Sequence, residues 1–164
     1  MNEVSVNKQA MLSPHFSLGE MTKTSYHPLD GNIPSRVHIE NLINLCENWL
    51  EELRFSYNTL YCLEPGEDYE TSEDVEPIII NSGFRSSDTN QLCGGATHSN
   101  HLTGCAVDIH CAGKEQAIRY ACILLDIADG KKQDFDELIL EKRGTTIWVH
   151  FAVRPRGNRR YVHF

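Results

Sequence analysis

The sequence predicts an α+β fold, because two apolar stripes of helical period, a short run of isoleucines and a hairpin signal occur in one chain of 164 residues. That length suits one globular domain over residues 1–164 and is short for two. Hydrophobic residues make up 40% and charged residues 23%, the balance of a packed soluble protein. With 15 Lys and Arg against 23 Asp and Glu, the formal charge is −8, which argues against a nucleic-acid partner or an anionic lipid surface.

The elements follow in order. Ser17-Leu18-Gly19-Glu20 fits a capping box, so a short helix starts there. Pro34 suits the first turn of a longer helix, whose apolar positions Ile39, Leu42, Ile43, Cys46, Trp49, Leu50 and Leu53 recur at three and four. Residues 56–76 lose that period and gather seven carboxylates between Glu64 and Glu76 around Pro65-Gly66, which reads as a solvated acidic loop. Without those seven, the remaining 16 carboxylates nearly balance the 15 cations, so the net charge describes this loop more than the rest of the chain. Pro77–Asn81 reads as a buried strand, and a second strand is expected at Cys105–His110. Ala117, Ile118, Ala121, Cys122, Leu124, Leu125 and Ala128 mark a helix that stops near Gly130. Leu138–Glu141 and Ile147–Val153 flank Arg143-Gly144 as a hairpin.

Residues Met1–Met11 contain no apolar run of the kind an export signal needs, and no stretch of about 18 apolar residues suggests a membrane span. The expectation is a protein made soluble in the cytoplasm. Six cysteines without a CxxC pair then read as reduced thiols, with Cys46 and Cys122 in the core.

Chemistry concentrates in Ser99–Asp108, where His101 lies in a loop and Asp108 lies seven residues on, in a strand. Imidazole and carboxylate are both good zinc donors, and a third ligand would leave a position open for water. His150 offers that ligand, since alternation puts Trp148, His150 and Ala152 on one strand face and Val149, Phe151 and Val153 on the other. The same alternation sets Cys105 and Cys111 opposite Asp108, whereas His110 shares its face and His98 falls in the loop beside it. Tyr161-Val162-His163-Phe164 echoes Trp148–Phe151 and competes for the third-ligand role, although no strand pattern precedes it.

Taken together, Ser99-x-His101-x-x-Gly104-x-Ala106-x-Asp108, Ser82-Gly83-Phe84-Arg85-Ser86, Gly94-Gly95 and Trp148-Val149-His150 resemble the zinc D-alanyl-D-alanine carboxypeptidase family of metallopeptidases. The likeness runs from about His15 to the end of the chain and is nearest to the branch in which the peptidase forms a C-terminal domain. It implies a small antiparallel sheet flanked by helices, a fold shared with D-Ala-D-Ala dipeptidases, L-Ala-D-Glu endolysins and the hedgehog signalling domain. It also implies one zinc ion on His101, Asp108 and His150, with Arg85, Ser99 and Trp148 binding substrate.

Some relatives carry an acid three positions before the last histidine, where this chain has Ile147. The pattern Phe135-Asp136-x-Leu138-Ile139-x-Glu141 resembles another version, so Glu141 is the favoured general base, with Asp136 and Glu137 as alternatives. The expected activity is zinc-dependent hydrolysis of peptidoglycan stem peptides, as a D,D-carboxypeptidase or an endopeptidase, by a monomer that reaches the wall through phage- or holin-type release. One rival is a zinc-containing domain that binds without turnover or serves in a virion; another is a zinc enzyme with a different substrate.

Overall fold

The computed structural model describes residues 6–164, so the Met1–Ser5 part of the N-terminal segment lies outside the described residues. Strands β1 (Met11–Ser13) and β2 (Phe16–Ser17) pair as a small antiparallel hairpin that leads into helix α1 (Leu18–Thr22). Ser17 and Glu20 close the expected capping box. Helix α2 (Arg36–Leu45) starts at an N-cap on Ser35, so Pro34 stands just outside the helix and not in its first turn. The Ser35 hydroxyl is the better start, because it accepts the His38 amide.

A π-helical turn over Cys46–Leu50 joins α2 directly to α3 (Glu51–Tyr61). Helix therefore continues through Tyr61, and the acidic segment begins after it and not at residue 56. The extra residue of the π turn re-aims the apolar stripe: Tyr57 is buried below Leu53, and buried Asn58 is held by Glu76 and Arg54 backbone atoms.

Strands β3 (Ile80–Ser82), β4 (Ala106–His110), β5 (Glu137–Arg143), β6 (Thr146–Ala152) and β7 (Tyr161–His163) form one sheet in the order β3-β4-β6-β5-β7. The β3–β4, β4–β6 and β5–β6 pairs are antiparallel, and β7 is added parallel to β5, so the tail is a paired strand. The α+β class and the hairpin turning at Gly144 are as the sequence predicts. Helix α4 (Ser87–Leu92) follows β3, and helix α5 (Lys114–Lys131) ends where Lys132 takes a left-handed conformation, two residues beyond Gly130. Its inward stripe includes Ala117, Tyr120, Ala121, Leu124 and Ala128, whereas Cys122 is exposed; the buried face is rotated by about one residue from the expected one.

All six cysteines are free. Helices cover one sheet face, where Val107, Ile109, Leu138, Val149 and Phe151 join Trp49, Tyr120 and Phe135 in the core. Alternation turns Asp108, His150, Trp148 and Glu141 to the other face. Among the described residues no helix is long and apolar enough to cross a membrane.

Candidate metal centre

The second sheet face floors a cleft of about 600 Å³. Strand register dictates what meets there: Asp108 on β4 faces His150 on β6, and Ser82 on β3 faces Asp108 from the other side. His101 comes from a 3-10 turn (Asn100–Thr103) that Ser99 caps and that ends at Gly104, with φ of 72°. The chain needs glycine there, because a Cβ would lie 2.5 Å from the His38 carbonyl oxygen. Gly83 is under a similar constraint: a Cβ would lie 2.3 Å from the Met21 oxygen, which accepts the Phe84 amide at 2.8 Å.

His101, Asp108 and His150 are all buried, and each offers a donor atom within 4.8 Å of the others. His101 Nδ1 is 2.7 Å from the Gly83 carbonyl oxygen, so Nδ1–H donates there and Nε2 is left bare, 3.3 Å from Asp108 Oδ1. His150 Nδ1 approaches the same oxygen at 3.1 Å. Asp108 Oδ2 accepts from Arg85 Nη2 at 2.7 Å, and Arg85 Nε donates to Ser82 Oγ at 2.8 Å.

Burial alone would raise the Asp108 carboxyl, but the two imidazoles outweigh it and hold the group well below the usual carboxylate range. Burial likewise opposes charge on His150, yet Asp108 and Glu137 push it up to about 9. The carboxylates thus favour positive charge at this point of the cleft. Two imidazoles and a carboxylate at this spacing form a donor set suited to a divalent metal with one position open, so these residues fit such an ion. The sequence-predicted ligands are brought together; no other group of three is close enough among the described residues.

Arg85, Ser99, Trp148 and Glu141 line the same cleft, as do Arg143, Arg154 and Arg159. The buried Trp148 Nε1–H has no partner among the described residues. Asp136 is 0% exposed and is not part of the cleft lining. Its oxygens accept from Arg159 at 2.9 and 2.8 Å and from Asn100 at 2.8 Å, and Arg154 Nε lies at 3.1 Å. Glu137, the least favoured alternative from the sequence, has Oε1 3.4 Å from His150 Nε2. His98 also lines the cleft, His110 is exposed, and His163 lies on β7 opposite Ile139 and outside the lining.

Two contributors had no signal in spacing. Asn100 links Glu137, Asp136 and Arg154, and buried Asn32 holds the arginine segment by accepting the Ser86 amide and donating to the Phe84 and Thr22 carbonyls. Asn100 stood visibly beside His101; only the fold shows what it joins.

The family model described as Peptidase M15 matches residues 14–139 of this chain. No curated protein matches it.

Proposed function

Since the chain belongs to the Peptidase M15 family of metallopeptidases, we propose that it is a zinc-dependent hydrolase of peptidoglycan stem peptides. The observation that carries this reading is the buried His101–Asp108–His150 cluster on the floor of a cleft that Arg85 and Glu141 also line. Bound by these three residues, zinc supplies Lewis acidity, activating water and polarising the scissile carbonyl.

The chain's own groups do the rest. Glu141 shares the strand face of the ligands and makes no side-chain hydrogen bond among the described residues, so its carboxylate is free to take the proton of the attacking water. It then delivers that proton to the leaving amine. Arg85 is held at one edge by Ser82 and Asp108, and its remaining N–H groups orient a substrate carboxylate or carbonyl. Ser99 and Trp148 line the path of the peptide. Cleavage at a D,D bond, by a carboxypeptidase or an endopeptidase route, is the chemistry proposed.

Incubation of the purified protein with purified peptidoglycan, followed by mass spectrometry of released fragments, tests this. New alanine termini are expected, and a chelator should abolish them; glutamate termini would instead point to a cut that is not at a D,D bond. Glu141→Gln should lower turnover about 100-fold or more while the protein still binds zinc. Zinc binding without fragment release by the wild type would sink the murein-hydrolase reading and favour a binding domain.

A further inference from the structure

Glu137 sits two residues along β5 from Ile139, which is the in-register partner of His150, and it shares the face of that histidine. Its Oε1 lies 3.4 Å from His150 Nε2. The other ring nitrogen, Nδ1, points to Asp108 Oδ1 at 3.1 Å, the oxygen that His101 Nε2 also approaches. A neutral imidazole carries one proton, and the nitrogen that binds a metal must be bare. A proton on Nε2 leaves Nδ1 bare on the side of the other two ligands. A proton on Nδ1 would block it.

Glu137 is itself held in place. Asn100 Nδ2 donates to Oε1, and Arg159 Nη2 lies 3.5 Å from Oε2. Asn100 is fixed in turn by Arg154 Nε at 2.9 Å and by Asp136 at 2.8 Å. The side chain of Glu137 is only 20% exposed. A carboxylate restrained from two sides and facing an imidazole N–H is an acceptor of fixed aim; Glu141 has no such restraint among the described residues.

We propose that Glu137 is a positioning residue of the metal centre: it accepts the Nε2–H of His150 and thereby presents Nδ1 as the ligand atom, with Asn100 and Arg159 holding the carboxylate. The inference rests on the metal-centre reading above and is independent of which peptide is cut.

The test is the zinc affinity of the metal-free protein, read by competition with a chromophoric chelator, together with the visible spectrum of the cobalt(II)-substituted protein. Glu137→Ala should weaken zinc binding about 10- to 100-fold and change the cobalt bands. Glu137→Gln keeps an oxygen that accepts from Nε2–H and should restore both readouts toward wild type. Glu137→Met, similar in size but without that acceptor, replaces the alanine variant if circular dichroism shows the latter unfolded. Unchanged zinc affinity and cobalt bands in the acceptor-less variants would overturn the proposal. So would a Glu137→Gln protein that binds zinc normally but loses turnover as Glu141→Gln does, because Glu137 would then carry a proton. Failure of the wild type to bind zinc would overturn it as well. Zinc affinity and the cobalt bands involve no peptide, so a negative peptidoglycan digest bears on the substrate and leaves those two results intact.

Discussion

A methyl group on Gly104 would have to overcome two obstacles, a left-handed backbone at φ 72° and a carbonyl oxygen of His38 at 2.5 Å. The backbone term alone costs an alanine about 1–2 kcal/mol, and the contact adds to it. Gly104→Ala should therefore lower the urea midpoint by more than the backbone term and weaken metal binding, because the turn it ends carries His101. Equal midpoints for the two proteins would contradict this account. The position of Gly104 was legible as part of a spaced motif, but its reason was not: the oxygen it avoids belongs to a helix some 66 residues earlier in the chain. The ligand residues were legible for a different reason, since strand alternation fixes which side chains share a face. Alternation also puts Glu137 and Glu141 on one face, so it could not say which of them touches His150; only register and the packing of Asn100 decide that.

At the scale of elements, the long helix was readable from its stripe as far as Leu53. The π turn then moves the period by a residue, and propensity contains no term for such an insertion. Directly after that turn, Glu51 ties the N-terminal hairpin to the helix: it accepts from Ser13 Oγ at 2.6 Å and from the His15 amide at 2.8 Å. Burial would raise the Glu51 carboxyl, yet hydrogen bonds from Ser13 and His15 outweigh it and hold it below its ordinary value. A lowered folded value means that the stabilisation is fully present above the unfolded value of about 4.3 and is lost as pH falls through the folded one. Urea unfolding should accordingly show wild type more stable than Glu51→Gln near pH 6 and the gap closing by about pH 3. A gap that stayed constant over that interval would remove the charge of Glu51 from the explanation.

For the whole molecule, the net charge of −8 and the character of the cleft point in opposite directions. None of the seven carboxylates between Glu64 and Glu76 lines the cleft, where four arginines, Arg85, Arg143, Arg154 and Arg159, stand against three carboxylates, Asp108, Glu137 and Glu141. For a peptide bearing carboxylates, kcat/KM should fall as salt is raised from about 0.01 to about 0.15 M, where the screening length shortens from about 30 to about 8 Å. A rise would mean that the acidic loop governs encounter. The ligands themselves are unevenly spread along the chain: His101 and Asp108 are near neighbours, but His150 meets Asp108 from 42 residues away. Bringing it back requires β4 to pair with β6 across the whole of α5 and the first arm of the hairpin. The donor set therefore exists only once that long loop has closed, and an ion held by it would act as a clasp on the least local pairing of the sheet. An ion captured there would lend its stability to the step on which chain entropy weighs most heavily.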